Sequence, residues 1–155
     1  MQKDTQHYFI TSSASGYASY INTAMSEWVN TTSSMGVTTP ISYTKTTTQS
    51  SSRMDIYQVS TVNEWWGLTT MYNGSKEVDP FSSNWAWGKI QLDADFSDLS
   101  ENKRLAVIAH EMGHVMGLAH SDFSNVLMRA DIAYNSSSTS RAQTNDLGGI
   151  NYLYK

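Results

Sequence analysis

The chain has 155 residues, a net charge of −4 and no cysteine, and 39% of its residues are hydrophobic. That length suits one domain able to bury roughly 70% of the surface its unfolded chain would expose, and the missing thiols exclude disulfides, thiolate metal sites and cysteine nucleophiles. The ten Lys and Arg residues are scattered and no apolar run approaches the ~20 residues of a membrane span, so neither nucleic acid nor a membrane is expected as a partner.

Residues 8–11 read as a short strand. Residues 16–29 read as an amphipathic helix, with Tyr17, Ile21, Ala24, Met25 and Trp28 at helical spacing, and the run from Thr31 to Gly36 ends it. Residues 41–46 are β-prone, 49–52 form a loop, and 54–59 alternate like a strand. Residues 65–72 are a further strand, stopped by Asn73 and Gly74 and followed by a loop through Pro80 and Ser83. Residues 86–92 make another strand, ending in Asp93, Ala94 and Asp95. Asp98 or Ser100 then caps a long helix over roughly 100–117, whose apolar stripe is Leu105, Ile108, Met112 and Val115. The chain beyond residue 120 is irregular, with a small-residue loop at 136–140, until Thr144, Asn145 and Asp146 open a final helix carrying Leu147, Ile150, Leu153 and Tyr154. This order predicts an α/β (α+β) fold with two long helices packed on one sheet.

The chemistry concentrates between His110 and His120. His110 and His114 are four apart on the long helix, so both imidazoles leave the same face and can chelate one ion. Glu111 points away from that stripe, towards a metal-bound water rather than the metal. Two ligands do not hold an ion tightly. Gly117 tolerates positive φ and ends a helix cheaply, so a break there lets the chain return His120 as a third ligand. Three neutral histidines with one open position are the pattern of a catalytic zinc rather than a structural one. Zinc lowers the pKa of its bound water towards ~7, and Glu111 is the candidate general base that takes the water proton. By themselves these residues indicate a zinc hydrolase. His7 remains and reads as an exposed terminal histidine.

From His110 to His120 the chain resembles the metzincins, whose extended motif it fits at every fixed position. Ser121, directly after the third histidine, is similar to the matrixin branch, and Met128 follows at the spacing of a matrixin Met-turn. The run from Asn145 to Tyr154 resembles the matrixin C-terminal helix, residues 54–56 resemble the third strand, and residues 67–72 resemble the edge strand that pairs with an extended substrate. The resemblance implies a zinc-dependent endopeptidase. The implied fold is a twisted, mostly parallel sheet of about five strands carrying two long helices. An active-site cleft and a small C-terminal subdomain ending in a helix complete it. The subdomains would be about 1–117 and 118–155 within one catalytic domain. Met128 would form the apolar floor under the zinc, and Asp146 would tie the last helix to the Met-turn backbone.

Several positions depart from the matrixin pattern. Thr70 and Gln91 stand where two histidines of a second, structural zinc would align, so one catalytic zinc and no structural zinc is expected. Asp93 and Asp95 are candidate calcium ligands, but Phe96 replaces an expected acidic residue, and a solvated acidic turn is the better reading. Arg129 and Ala130 replace Tyr-Pro after the Met-turn methionine, and no tyrosine stands two positions after Met128 to act as a ligand. Asn145 replaces the acidic residue that would hold a mature N-terminal ammonium.

Ala106, Val107 and the loop 129–141 are expected to shape an apolar pocket for the residue after the scissile bond. The expected partner is a peptide or protein substrate bound in extended form, and the chain is expected to be a monomer. Ser and Thr make up 39 of 155 residues, which together with only 15% charged residues favours an extracellular protein. No signal peptide is recognised, and the chain reads as a mature domain cut from a longer precursor. One alternative is a catalytically silent, zinc-containing protein-binding module, against which the intact Glu111 speaks. Another is a hydrolase of non-peptide amides, against which an edge strand at 65–72 speaks.

Overall fold

The computed structural model describes residues 4–60, 65–132 and 139–155. Strands β1 (Gln6–Ile10), β2 (Tyr43–Lys45), β3 (Met54–Gln58), β4 (Gly67–Asn73), β5 (Lys76–Val78) and β6 (Trp87–Leu92) form one sheet in the order β2-β1-β3-β6-β4-β5. The pairings among β2, β1, β3 and β6 are parallel, and those of β4 with β6 and with β5 are antiparallel. The mostly parallel sheet therefore has six strands rather than about five. The additional strand is β5, which pairs Lys76 with Asn73 across a two-residue turn opened by Gly74 at φ 59. Its sequence, Lys-Glu-Val, carries no apolar alternation, so residues 73–74 looked like the end of a strand when they are half of a hairpin.

The helices are α1 (Ala18–Val29), the short α2 (Thr31–Met35), α3 (Glu101–Val115) and α4 (Thr144–Leu153). A 3-10 turn at Ser12–Tyr17 precedes α1, where a continuous helix from 16 was expected, and α2 occupies the stretch read as a terminator. Ser100, not Asp98, caps α3: its hydroxyl accepts from the Lys103 amide at 3.4 Å, while Asp98 closes a separate 3-10 turn. Among the described residues, 121–132 and 139–143 contain neither helix nor strand.

Helix α3 lies at the centre. Residues 106–113 are all buried, so it is covered on every side and not only along one stripe, while Leu105 is only half-buried. The helix shares one core with Ile21, Met25 and Trp28 of α1, Met54, Ile56, Ile90 and Leu92 of the sheet, and Leu147 and Ile150 of α4. Burying that much backbone requires partners for polar groups. The Trp28 indole donates to the Ala109 carbonyl at 2.9 Å and so joins α1 to α3 through a buried hydrogen bond. In α4, Gln143 and Asp146 form a reciprocal capping box, one residue ahead of the expected start at Thr144. Leu153 is half exposed.

Two further expectations change. Asp93 is buried, and its carboxylate accepts from the Asp95 amide at 3.0 Å, so it is not part of a solvated turn. His7 is half-buried within β1, with Nδ1 3.0 Å from the Thr44 hydroxyl, rather than a free terminal side chain. Residues 133–138 of the expected loop 129–141, including most of the small-residue run 136–140, lie outside the described residues.

Candidate active site

Helical spacing brings His110 and His114 together, and the turn after α3 brings His120 to them. Their Nε2 atoms lie 3.1 Å (His110 to His114), 3.2 Å (His114 to His120) and 3.2 Å (His110 to His120) apart. Two of the tautomers follow from chemistry, because a carbonyl can only accept. His110 Nδ1–H donates to the Leu127 carbonyl at 2.8 Å, and His114 Nδ1–H donates to the Leu118 carbonyl at 2.8 Å. Both rings therefore present bare Nε2 lone pairs to the same point, an arrangement that a cation relieves. Separations near 3.2 Å suit three corners of a tetrahedron with metal–nitrogen bonds of about 2.0–2.1 Å. Burial, reinforced by the neighbouring His114, pushes the His110 pKa down to about 3, and burial also lowers that of His114. Neutral imidazole is the form that ligates a metal, and these three residues could hold one ion.

The turn that delivers His120 is a Schellman motif. The Gly117 amide donates to the His114 carbonyl at 2.9 Å, and the Leu118 amide to the Gly113 carbonyl at 2.9 Å, with Gly117 at φ 108. A side chain at 117 would be strained at that φ, and its Cβ would fall 3.1 Å from Leu153 Cδ1. The same turn aims the Leu118 carbonyl back at His114.

Leu127 and Met128 form a second anchor. The Asp146 carboxylate accepts from the Leu127 amide at 2.8 Å, the Met128 amide at 3.2 Å and the Gln143 amide at 2.8 Å. The Met128 carbonyl accepts from the Ser121 amide at 2.9 Å, which closes the loop that follows His120. The buried Met128 side chain presses its sulfur against Gly113, the residue before His114, where a Cβ would have no room.

Glu111 and the three histidines line a cleft of about 1050 Å³, Glu111 and His110 as buried residues. Burial raises the Glu111 carboxyl to about 7, and a hydrogen bond from Thr69 works in the opposite sense. That bond runs from Thr69 Oγ1 to Glu111 Oε2 at 2.6 Å. Gly67 to Met71 of β4 line one side of the cleft, and Leu118, Ala119, Ala130 and Ile132 line another part. Among known protein families, Matrixin matches residues 5–155. The chain belongs to the matrixin family. No individually curated protein matches it.

As a family member this matrixin is a zinc metallopeptidase with protein or peptide substrates. Its departures from the family pattern fall in distinct places. Thr70 and Gln91 lie on the sheet face away from α3, opposite Lys89 and Leu68 respectively. Arg129 makes a two-pronged ion pair with Asp131, 2.8 Å on each prong, and leaves the cleft wall to Ala130 and Ile132. Asn145 is exposed on the first turn of α4. Of the pair expected to shape the pocket, Val107 lines the cleft and Ala106 is packed into the core instead. Sequence reasoning missed Thr69, whose only local signal is its strand parity with Gly67 and Met71, and the carbonyls of Leu118 and Leu127, which no side-chain pattern can flag. Among the described residues no helix is long and apolar enough to cross a membrane.

Proposed function

We propose that this matrixin is an endopeptidase in which His110, His114 and His120 hold the catalytic zinc and Glu111 is the general base. The observation that carries this reading is the convergence of three Nε2 atoms in an open cleft that a buried carboxylate also lines. Zinc, when bound, supplies Lewis-acid polarisation and an acidified water. Glu111 accepts the proton of the attacking water and returns it to the leaving amine. Leu118 and Leu127 keep two ligand rings in the tautomer that frees Nε2, and Met128 gives the site an apolar floor. Residues 1–117 and 118–155 contribute the two sides of one catalytic domain.

An extended substrate would pair with β4. The sheet ends at β5, not at β4 as expected, but β5 covers only Met71 to Asn73. Among the described residues the outer edge of Gly67–Thr70 has no partner strand and lines the cleft, which supports main-chain pairing with a peptide. Val107, Ala130 and Ile132 support an apolar preference for the residue after the scissile bond. The polar, weakly charged composition supports action outside the cell.

A peptide-library cleavage profile of the zinc-loaded protein, run beside Glu111→Ala, tests this. Expected are chelator-sensitive cleavage before medium or large hydrophobic residues and a variant that keeps its zinc but cleaves nothing. Absence of cleavage by the wild type would favour a silent binding module, and a profile dominated by charged residues after the cut would refute the pocket assignment.

A further inference from the structure

Glu111 belongs to α3, but its carboxylate rests on β4. The register across the sheet aligns Ile56 with Ile90 and Ile90 with Thr69. Ile90 shares the face of Gly88, where an added Cβ would meet Val115 of α3, so parity turns Gly67, Thr69 and Met71 to the same side. Two of these residues meet Glu111. At Gly67 an added Cβ would fall 2.9 Å from Glu111 Cγ and 3.2 Å from Oε1, so only a bare backbone leaves the side chain room. Two residues on, the Thr69 hydroxyl donates to Oε2 at 2.6 Å and also lies 3.2 Å from the Glu111 carbonyl. Among the described residues no other donor reaches this buried carboxylate.

We propose that Thr69 is a positioning residue for the general base: its hydroxyl holds Oε2 and fixes the carboxylate plane, leaving Oε1, on the Gly67 side, to accept the proton. The proposal rests on Glu111 acting as the base. A glutamate side chain has three rotatable bonds, and a misplacement of about 1 Å can cost roughly 10²-fold in rate. A threonine held in a strand removes that freedom without adding a charge that would compete with the substrate. The same strand offers its free edge to the peptide at Gly67–Thr70. One rigid element therefore sets the position of both the scissile bond and the base that acts on it.

The test pairs Thr69→Val, which keeps the shape and strand preference but loses the hydroxyl, with Thr69→Ser, which keeps the hydroxyl. For Thr69→Val, kcat is expected to fall about 10–100-fold with KM, bound zinc and Tm nearly unchanged, and Thr69→Ser is expected to recover to within a few-fold of wild type. A Val variant within about twofold of wild type overturns the proposal, as does an equal loss in both variants or a loss confined to KM or zinc content. A second readout needs neither zinc nor turnover: the ¹³C resonance of the Glu111 carboxyl carbon in the metal-free protein. It is expected to shift and broaden in Thr69→Val and to return in Thr69→Ser, and an unchanged resonance in Thr69→Val overturns the proposal. If the wild type cleaves no peptide while this resonance responds as expected, the endopeptidase reading fails and the hold of Thr69 on Glu111 stands.

Discussion

Two regions supply the three converging histidines, and they hold them differently. Helix α3 places His110 and His114 through its own repeat and locks both rings by Nδ1–H donation to backbone carbonyls. The irregular segment after Gly117 places His120, which is exposed, and among the described residues no hydrogen bond reaches its Nδ1. Its position depends on a left-handed glycine and on the Ser121–Met128 closure. The helical pair is therefore held by the fold itself, with His110 buried and His114 half-buried, whereas His120 is set by a turn at the surface. The two regions are not independent, because Leu127 of the irregular segment carries the carbonyl that orients His110.

Replacing ligands on either side should break this comparison most sharply. His110→Ala and His120→Ala are both expected to weaken zinc binding by more than the roughly 10–100-fold that loss of an outer hydrogen-bond partner costs, read by competition with a chromophoric chelator. They should differ in the metal-free state: His110→Ala lowers Tm by several degrees because it empties a buried site, and His120→Ala leaves Tm within about 2 °C. Equal Tm values would mean that the two regions are equally preformed.

Asp146→Asn comes next. It weakens the acceptor for three amides at once, and a loss of about 1–3 kcal/mol is expected by urea denaturation. Because Leu127 holds His110, zinc affinity should fall as well; a stability loss with unchanged affinity would uncouple α4 from the site. Gly117→Ala forces a side chain to φ 108 beside Leu153. It is expected to cost about 1–2 kcal/mol and to reduce zinc affinity chiefly through His120, which a slower zinc on-rate with little change in helix content would reveal. Met128→Leu should be mildest, under about 1.5 kcal/mol, with zinc affinity unchanged, since a floor of similar volume replaces the first. A large drop in affinity would make Met128 more than a floor.

The site and the fold were legible in the sequence to different degrees. The spacing of His110 and His114, the glycine that returns His120 and the position of Glu111 are all local signals within eleven residues, and the structure brings these residues together. The long helices were readable because their apolar residues repeat at the helical period. Strand β5 was not, since three mostly polar residues carry no period and exist as a strand only by pairing with β4. Asp93 looked like a solvated turn because sequence shows charge but not burial.

Sequence alone determined that His110, His114 and His120 could meet, that Glu111 lies between two of them and that the helix breaks at Gly117, because each is set by residues within a turn or two of one another. Tertiary structure decided which atoms hold those groups in place. The Leu127 carbonyl, the Leu127 and Met128 amides gathered by Asp146 and the hydroxyl of Thr69 act across the fold, the last from 42 positions away. Backbone groups are chemically alike at every residue, and one threonine in a strand resembles any other. Only packing, which chose the sheet register and buried residues 106–113 of α3, could select these atoms for the site.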